Sequence, residues 1–290
     1  MGRFAPSPTG PLHLGSLICA LATFLDARAN NGTWLVRMED LDPPREVPGA
    51  AESILNSLKA HGLYWDQEVL WQSQRDEAYA AVVEQLLTSG KAFHCDCSRA
   101  QLAQHNNIYQ GHCRNRKLPA DTAAAVRVRV EGETAISVSD QLQAPLQEDV
   151  ASAVGDFIIR RRDRLYAYQL AVVVDDSWQG INQVVRGSDL YDSTPRQVFL
   201  QQLLALPTPT YTHIPVITNG EGQKLSKQTH APALDDDQAI DNLRLALHFL
   251  GQSPPASQIR RLDLLLQHAV EHWQIRTIPA RMGIPESSIY

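Results

Sequence analysis

Residues 3–16 read Arg3-Phe4-Ala5-Pro6-Ser7-Pro8-Thr9-Gly10-Pro11-Leu12-His13-Leu14-Gly15-Ser16. Phe4-Ala5 followed by Pro6-Ser7-Pro8-Thr9-Gly10 has the composition of a strand end running into a turn. From Gly15 the pattern changes: Leu17, Ile18, Leu21, Phe24 and Leu25 fall on one stripe of a helix that stops at Asn30-Asn31-Gly32. Thr33 to Met38 then has strand composition and ends in Glu39-Asp40. Strand, tight turn, helix and strand make a βαβ unit, so the expected fold class is α/β, with a parallel sheet and a ligand site near the strand C-terminal ends.

Outward from this unit, residues 51–60 carry Ile54, Leu55 and Leu58 at helical spacing. A clearer helix follows, with Ser73 and Asp76 spaced as a cap and Tyr79, Val82, Val83, Leu86 and Leu87 as its stripe. Between Phe93 and Pro119 the periodicity lapses and Cys95, Cys97 and Cys113 cluster, which reads as an inserted module. Val126, Val128 and Val130 alternate with Arg127 and Arg129, the pattern of a half-exposed strand. Residues 156–168 read as two short strands around the turn Arg161-Arg162-Asp163-Arg164. A buried apolar run (170–174), a strand (181–185), a helix (195–204) and a strand (214–218) follow, and Asn219-Gly220 is a turn signal before Lys224-Leu225-Ser226-Lys227. The remainder is helical in pattern. Four segments are expected: 1–92 as the first half of a nucleotide-binding domain, 93–119 as an inserted module, 120–230 as the remainder of the insertion and the second half of that domain, and a short helical part over 231–290.

The composition excludes several classes. With 43% hydrophobic residues in a chain of 290, a sizeable core is available. No apolar run approaches the ~20 residues of a membrane span, and no secretory pattern opens the chain, so a cytoplasmic protein is expected. A net charge of −6 argues against non-specific coating of nucleic acid, which rests on phosphate neutralisation. Arg160, Arg161, Arg162 and Arg164 still form a local cationic run suited to a hairpin tip or to RNA contact. The three clustered cysteines suggest a metal more than disulfides. Three thiolates and one further donor would fill a tetrahedral zinc site, with His112 or His94 the usual fourth ligand on residue type alone. Cys19 lies near the first helix's apolar stripe and reads as core.

Two stretches carry chemistry only when taken together. Glycine at a helix start admits a ligand close to the backbone, the helix N-terminus offers unpaired N–H groups, and His13 adds a donor for phosphate. Lys224 and Lys227, three apart in a loop, can grip a polyphosphate whose charge grows as pyrophosphate leaves.

His13-Leu14-Gly15-Ser16 resembles the first signature of class I aminoacyl-tRNA synthetases, and Lys224 to Lys227 resembles their second, in the expected order and βαβ context. Within that class, Arg3 to Gly10, Arg37-Met38-Glu39-Asp40-Leu41-Asp42 and Val172-Val173-Val174-Asp175-Asp176 resemble the glutamyl branch. The resemblance runs from Arg3 to about Leu234. It implies a Rossmann-like catalytic domain with an inserted zinc module.

The sequence also departs from the full-length glutamyl enzymes. Only 63 residues of the 290 follow Lys227, where those enzymes carry a large helical anticodon-binding part. Leu190 follows Asp189 and Gln228 follows Lys227, where they tend to have histidine and arginine. In these respects the chain is similar to the short paralogues that attach glutamate to the queuosine base of the aspartate tRNA anticodon.

The resemblance then assigns roles. Arg3, assisted by Arg186, would hold the γ-carboxylate of L-glutamate; Glu39 the α-ammonium; Phe4, Ala5, Pro6, Ser7 and Tyr168 the pocket. His13, Gly15, Ser16 and Lys227 would bind ATP, with His13, Lys224 and Lys227 acting on its phosphates and Mg²⁺ sharing the charge. It places Tyr109, with Cys95, Cys97 and Cys113, on one structural zinc. The expected partners are glutamate, ATP and queuosine-modified aspartate tRNA, met by a monomer and with no membrane. A glutamyl enzyme charging a tRNA 3′ end and a non-catalytic RNA-binding relative are the alternatives.

Overall fold

Five parallel strands form the centre of the molecule, seen in a computed structural model that describes residues 1–98, 100–101, 108–109, 111–119, 122–219, 222–224, 232–253 and 255–288. Strand β1 (Gly2–Phe4) pairs with β2 (Trp34–Met38), and β2 with β3 (Leu70–Trp71), all parallel. Asn182 and Gln183 donate to the Met1 carbonyl, which sets β9 (Gln183–Gly187) beside the other edge of β1, and β9 pairs in parallel with β10 (Thr210–Ile214). The order β3-β2-β1-β9-β10 reverses direction between β1 and β9. In open α/β sheets ligands bind at such a reversal, beyond the strand C-terminal ends.

Both faces of the sheet are covered. Helices α1 (Leu14–Ala29) and α2 (Ala50–Ala60) pack on one, in a core that takes Phe4, Trp34, Val36, Met38 and Val185. Helix α3 (Asp76–Thr88) packs on the other, in a core that takes Leu35 and Val184. Side chains alternate across a strand, so Arg3 stands opposite Phe4, Arg37 opposite Val36 and Met38, and Arg186 opposite Val185. Three arginines on three adjacent strands therefore share one face of the sheet.

The insertion supplies β4 (Ala92–Cys95), β5 (Ala125–Val128), the hairpin β6 (Ala135–Val138) and β7 (Leu146–Asp149), the turn of helix α4 (Val150–Ala153) and β8 (Ile158–Arg160). Beyond it, helices α5 (Tyr168–Trp178) and α6 (Thr194–Leu203) complete the second face. The apolar run at 170–174 is thus a helix buried on every side. The last helices, α7 (Ala239–Phe249) and α8 (Leu262–Glu271), pack against α1 within the first core, and β12 (Gly283–Pro285) returns to pair with β11 (Val216–Thr218). The strand expected over 214–218 is split at Pro215, which lacks the N–H a continuous ladder needs.

Two expectations are corrected. The β5 strand is buried throughout, because Arg127 is only 6% exposed and lies over the Tyr109 ring while donating to the Asp156 carbonyl. The α3 start has no side-chain cap: Ser73 is held instead by Asp40, through its N–H at 2.9 Å and its hydroxyl at 2.6 Å. Arg160 pairs with Tyr166 as expected of a hairpin, whose tip is tied down by Arg161 to Asp42 and Asp163 and by Arg162 to the Asp96 carbonyl. No helix among the described residues is long and apolar enough to cross a membrane.

Candidate active site

A cavity of about 940 Å³ opens at the C-terminal ends of β1, β2 and β9. Pocket volumes of roughly 300–1,000 Å³ suit small ligands, so the space admits an amino acid together with a nucleotide. Arg3, Phe4, Ala5, Pro6, Ser7, Glu39, Tyr168 and Arg186 line it at one end, and His13, Gly15, Ser16 and Lys224 at the other. Lys227 lies outside the described residues.

The turn after β1 is fixed by its carbonyls. Pro6 accepts from Glu39 N–H at 2.9 Å and Pro8 from Val47 N–H at 3.0 Å, so the proline-rich segment is tied to the end of β2 rather than crossing the cavity. His13 is the N-cap of α1, and its Nδ1 accepts from Ser16 N–H at 3.3 Å. The neutral ring then carries its proton on Nε2, as a donor. A Cβ on Gly15 would approach the His13 ring to 3.2 Å, so glycine is what lets this ring fold back over the helix start. Cys19 packs against the first core and also borders the cavity; burial pushes its thiol up to about 11, which leaves it a neutral wall.

At the other end the charges are arranged by helix α5. Asp176 accepts from Arg3 Nε at 3.0 Å and Nη2 at 3.3 Å, and from Arg37 Nη2 at 2.7 Å. Burial opposes its ionisation, but the two guanidiniums overcome that and hold the carboxyl below its ordinary range. Its neighbour Asp175, fully buried, takes Gln72 at 2.8 Å, Arg75 at 3.1 Å and the Tyr79 hydroxyl at 2.6 Å, so α5 is anchored on both sides.

Arg186 is different. Its Nε donates to His213 Nε2 at 3.0 Å, Nη1 to Gln197 Oε1 at 2.8 Å and Nη2 to Thr194 Oγ1 at 2.8 Å, with the Tyr168 hydroxyl 3.4 Å from Nη1. Every one of these acceptors is neutral. Among the described residues Arg3, Arg37 and Arg75 each have a carboxylate within ion-pair distance and Arg186 has none. Glu39, with Arg37 3.8 Å away, completes the pocket, and burial pushes its carboxyl up to about 7 against the pull of the Arg37 and Arg3 guanidiniums.

Three guanidiniums facing two carboxylates leave one positive charge uncompensated. An amino acid with two carboxylates and one ammonium carries one negative charge in return. Lys224 at the far end pairs with Asp189 at 2.5 Å. Thr218 bridges to Lys224 across the turn, and Asn219 N–H donates to the Gln223 carbonyl, so the second signature starts from a hairpin bend.

Asp176, Arg37, Thr194 and Gln197 join the site without a role assigned to them by the motifs. Arg37 was legible in principle, as a charge inside the apolar run Trp34 to Met38. Thr194 and Gln197 sit on a helix whose polar positions show no pattern of their own.

The Cys95, Cys97 and Cys113 sulfurs all lie within 4.8 Å of one another. Tyr109 packs with them, its hydroxyl accepting from Cys113 N–H at 2.7 Å. Neither His94 nor His112 joins the group, and both side chains are exposed. Burial would raise the Cys95 thiol, but the Cys97 N–H, Tyr109 and Arg127, whose Nε is 3.3 Å from the sulfur, together lower it. The donor set therefore fits a thiophilic ion.

Residues 1–250 match the family model of the class I tRNA synthetase (E and Q) catalytic domain. A glutamyl-Q tRNA(Asp) synthetase of Thiobacillus denitrificans is 56% identical over 287 residues, covering 96% of this chain and 95% of the relative. One from Pseudomonas aeruginosa is 51% identical over 290 residues, covering 100% and 98%. A glutamate tRNA ligase from Elizabethkingia meningosepticum, crystallised with its amino acid, superposes with a TM-score of 0.81 at 23% identity, over 98% of this chain and 66% of the ligase, and so shares its fold. The chain belongs to the class I tRNA synthetases and, within them, to the glutamyl-Q tRNA(Asp) synthetases.

Proposed function

We propose that the protein activates L-glutamate with ATP, without tRNA, and transfers it to the queuosine base at the wobble position of aspartate tRNA. The α-carboxylate of glutamate attacks the α-phosphorus and pyrophosphate leaves; a hydroxyl of the modified base then attacks the activated carbonyl and AMP leaves. The observation that carries the glutamate reading is Arg186, a buried cation held, among the described residues, by neutral acceptors beside Arg3 and Glu39. The choice of nucleic acid is supported by the full-length relatives named for it. No side chain need act as a nucleophile: the residues position the reactants and offset charge. Glutamate-dependent ATP–pyrophosphate exchange without tRNA tests the first step; absence of exchange refutes it. Transfer to queuosine-containing but not queuosine-lacking aspartate tRNA tests the second, and equal labelling of both refutes the modified-base target.

Glu39 makes the first step pH-dependent. Its carboxyl titrates at about 7 and must be ionised to take an ammonium, so KM for glutamate should rise about tenfold for each pH unit below that value. A KM that stays flat across the range removes Glu39 from ammonium binding. Stability has the opposite sign. An acid whose folded pKa is raised contributes its stability below the unfolded value, 4.5, and loses it as pH rises through about 7. Glu39→Gln should therefore melt above the wild type at about pH 8 while binding glutamate less well.

Cys95, Cys97, Cys113 and Tyr109 would hold one structural zinc, bracing the insertion against Arg127. Metal analysis of purified protein should find about one zinc per chain, and Cys113→Ala should lose it and lower Tm. A metal-free wild type of undiminished Tm contradicts the assignment.

A further inference from the structure

Arg186 is placed by residues that lie outside the cavity. His213, on β10, is fully buried, and its Nε2 faces the Arg186 Nε–H, so Nε2 must accept. The ring proton is then on Nδ1, which donates to Asp140 Oδ2 at 2.6 Å. Burial lowers the His213 pKa, and with the nearby Arg186 charge it outweighs the opposing pull of the Asp140 carboxylate, so the ring stays neutral. The ring is clamped between Tyr191, edge-on with centroids 5.1 Å apart, and Tyr211, stacked with centroids 6.1 Å apart. Asp140 follows β6 in the insertion and is itself fixed by the N–H groups of Leu142 at 2.9 Å and Gln143 at 2.8 Å. On the other flank, Gln169 accepts from Gln197 Nε2 at 2.9 Å, which turns the Gln197 oxygen toward Arg186.

Compare Arg3. Asp176 orients it by direct contact and in doing so takes up its charge. Asp140 stands one imidazole away from Arg186, so the guanidinium is oriented through a neutral acceptor and no carboxylate occupies its edge. We propose that Asp140 and His213 are positioning residues for amino-acid selection, aiming Arg186 at the side-chain carboxylate of the substrate while leaving its charge unpaired. The inference rests on the reading that Arg186 binds glutamate.

The test is ATP–pyrophosphate exchange with glutamate and ATP varied separately, in Asp140→Asn, His213→Leu, His213→Gln and, as reference, Arg186→Gln. His213→Leu should raise KM for glutamate roughly 10- to 100-fold, the range for losing a hydrogen bond to a charged group, with KM for ATP within about twofold. His213→Gln, which restores an acceptor, should recover most of that loss. Asp140→Asn keeps the side-chain shape and should raise KM for glutamate about threefold or more.

The proposal is overturned if Asp140→Asn and His213→Leu leave KM for glutamate unchanged while Arg186→Gln raises it. It is equally overturned if both KM values rise together, as from general loosening, or if Gln behaves like Leu at 213. Should His213→Leu fail to fold, Asp140→Asn and His213→Gln decide: wild-type glutamate KM in Asp140→Asn refutes the chain. An unchanged KM in Arg186→Gln refutes the underlying reading, and the proposal with it.

Discussion

Asp176→Ala should lower stability by about 3–5 kcal/mol near neutral pH and abolish glutamate activation, because it leaves buried guanidiniums without their counter-charge. Arg3 is 4% exposed and donates through Nε and Nη2 to Asp176; Arg37 is fully buried and would keep, among the described residues, Gln179 at 2.8 Å and Glu39 at 3.8 Å. Removing one partner of a buried pair exposes no charge to water and forces the protein to carry it unpaired. In thermal unfolding the shift should be on the order of 10 °C. Its pH dependence identifies the cause. Asp176 has a depressed folded pKa, so its contribution is present above its ordinary value of 3.8 and is lost as pH falls through the folded value. Wild type and variant should therefore converge on acidification. An equal gap at all pH values would mean that packing, not charge, was lost.

The parallel βαβ start was legible because Arg3 to Met38 contains every local signal of it: turn residues, a glycine at the helix entry, a 3.6-residue stripe and an apolar strand. The arginine face was not. In a strand covered on both sides, alternation between apolar and polar residues disappears, and Arg37 looks like one charge in an apolar run until α5 sets Asp176 above it. The same effect acts over Val126 to Val130, where alternation predicts arginines that face solvent. Arg127 instead lies over Tyr109 and beside Cys95, because the insertion folds back across that face. Apolar periodicity cannot report a neighbour that is itself polar. The residues that motif resemblance assigns to the pocket, Arg3, Glu39, Tyr168 and Arg186, all line one cavity. The resemblance carried no information on Asp140 and His213, which come from segments 73 residues apart and meet where the Asp140 carboxylate accepts from the backbone N–H and the ring Nδ1–H of His213.

Arg186→Gln should reduce kcat/KM for glutamate by a factor on the order of 10³ while leaving the protein folded. The activity loss follows from charge. A carboxylate in a dry pocket gains most from a cation that has no other counter-ion, and the neutral ring of His213, Gln197, Thr194 and Tyr168 keeps Arg186 in that state. A site whose buried polar groups await a missing partner discriminates by 10⁴–10⁵-fold at the upper end. Arg3, still paired with Asp176, supplies part of the attraction, which is why the expected factor is smaller.

Folding survives for the opposite reason. Arg186 is a buried charge without a carboxylate, so replacing it with a neutral amide removes a desolvation penalty as well as hydrogen bonds. The glutamine can still donate to one of the acceptors that Arg186 now serves. Arg186→Lys should retain the charge yet recover little activity, because one ammonium cannot meet His213, Gln197 and Thr194 and still face a carboxylate. Full activity in the lysine variant would show that charge alone suffices. An unfolded glutamine variant would show instead that the guanidinium is there to hold β9, β10 and α6 together.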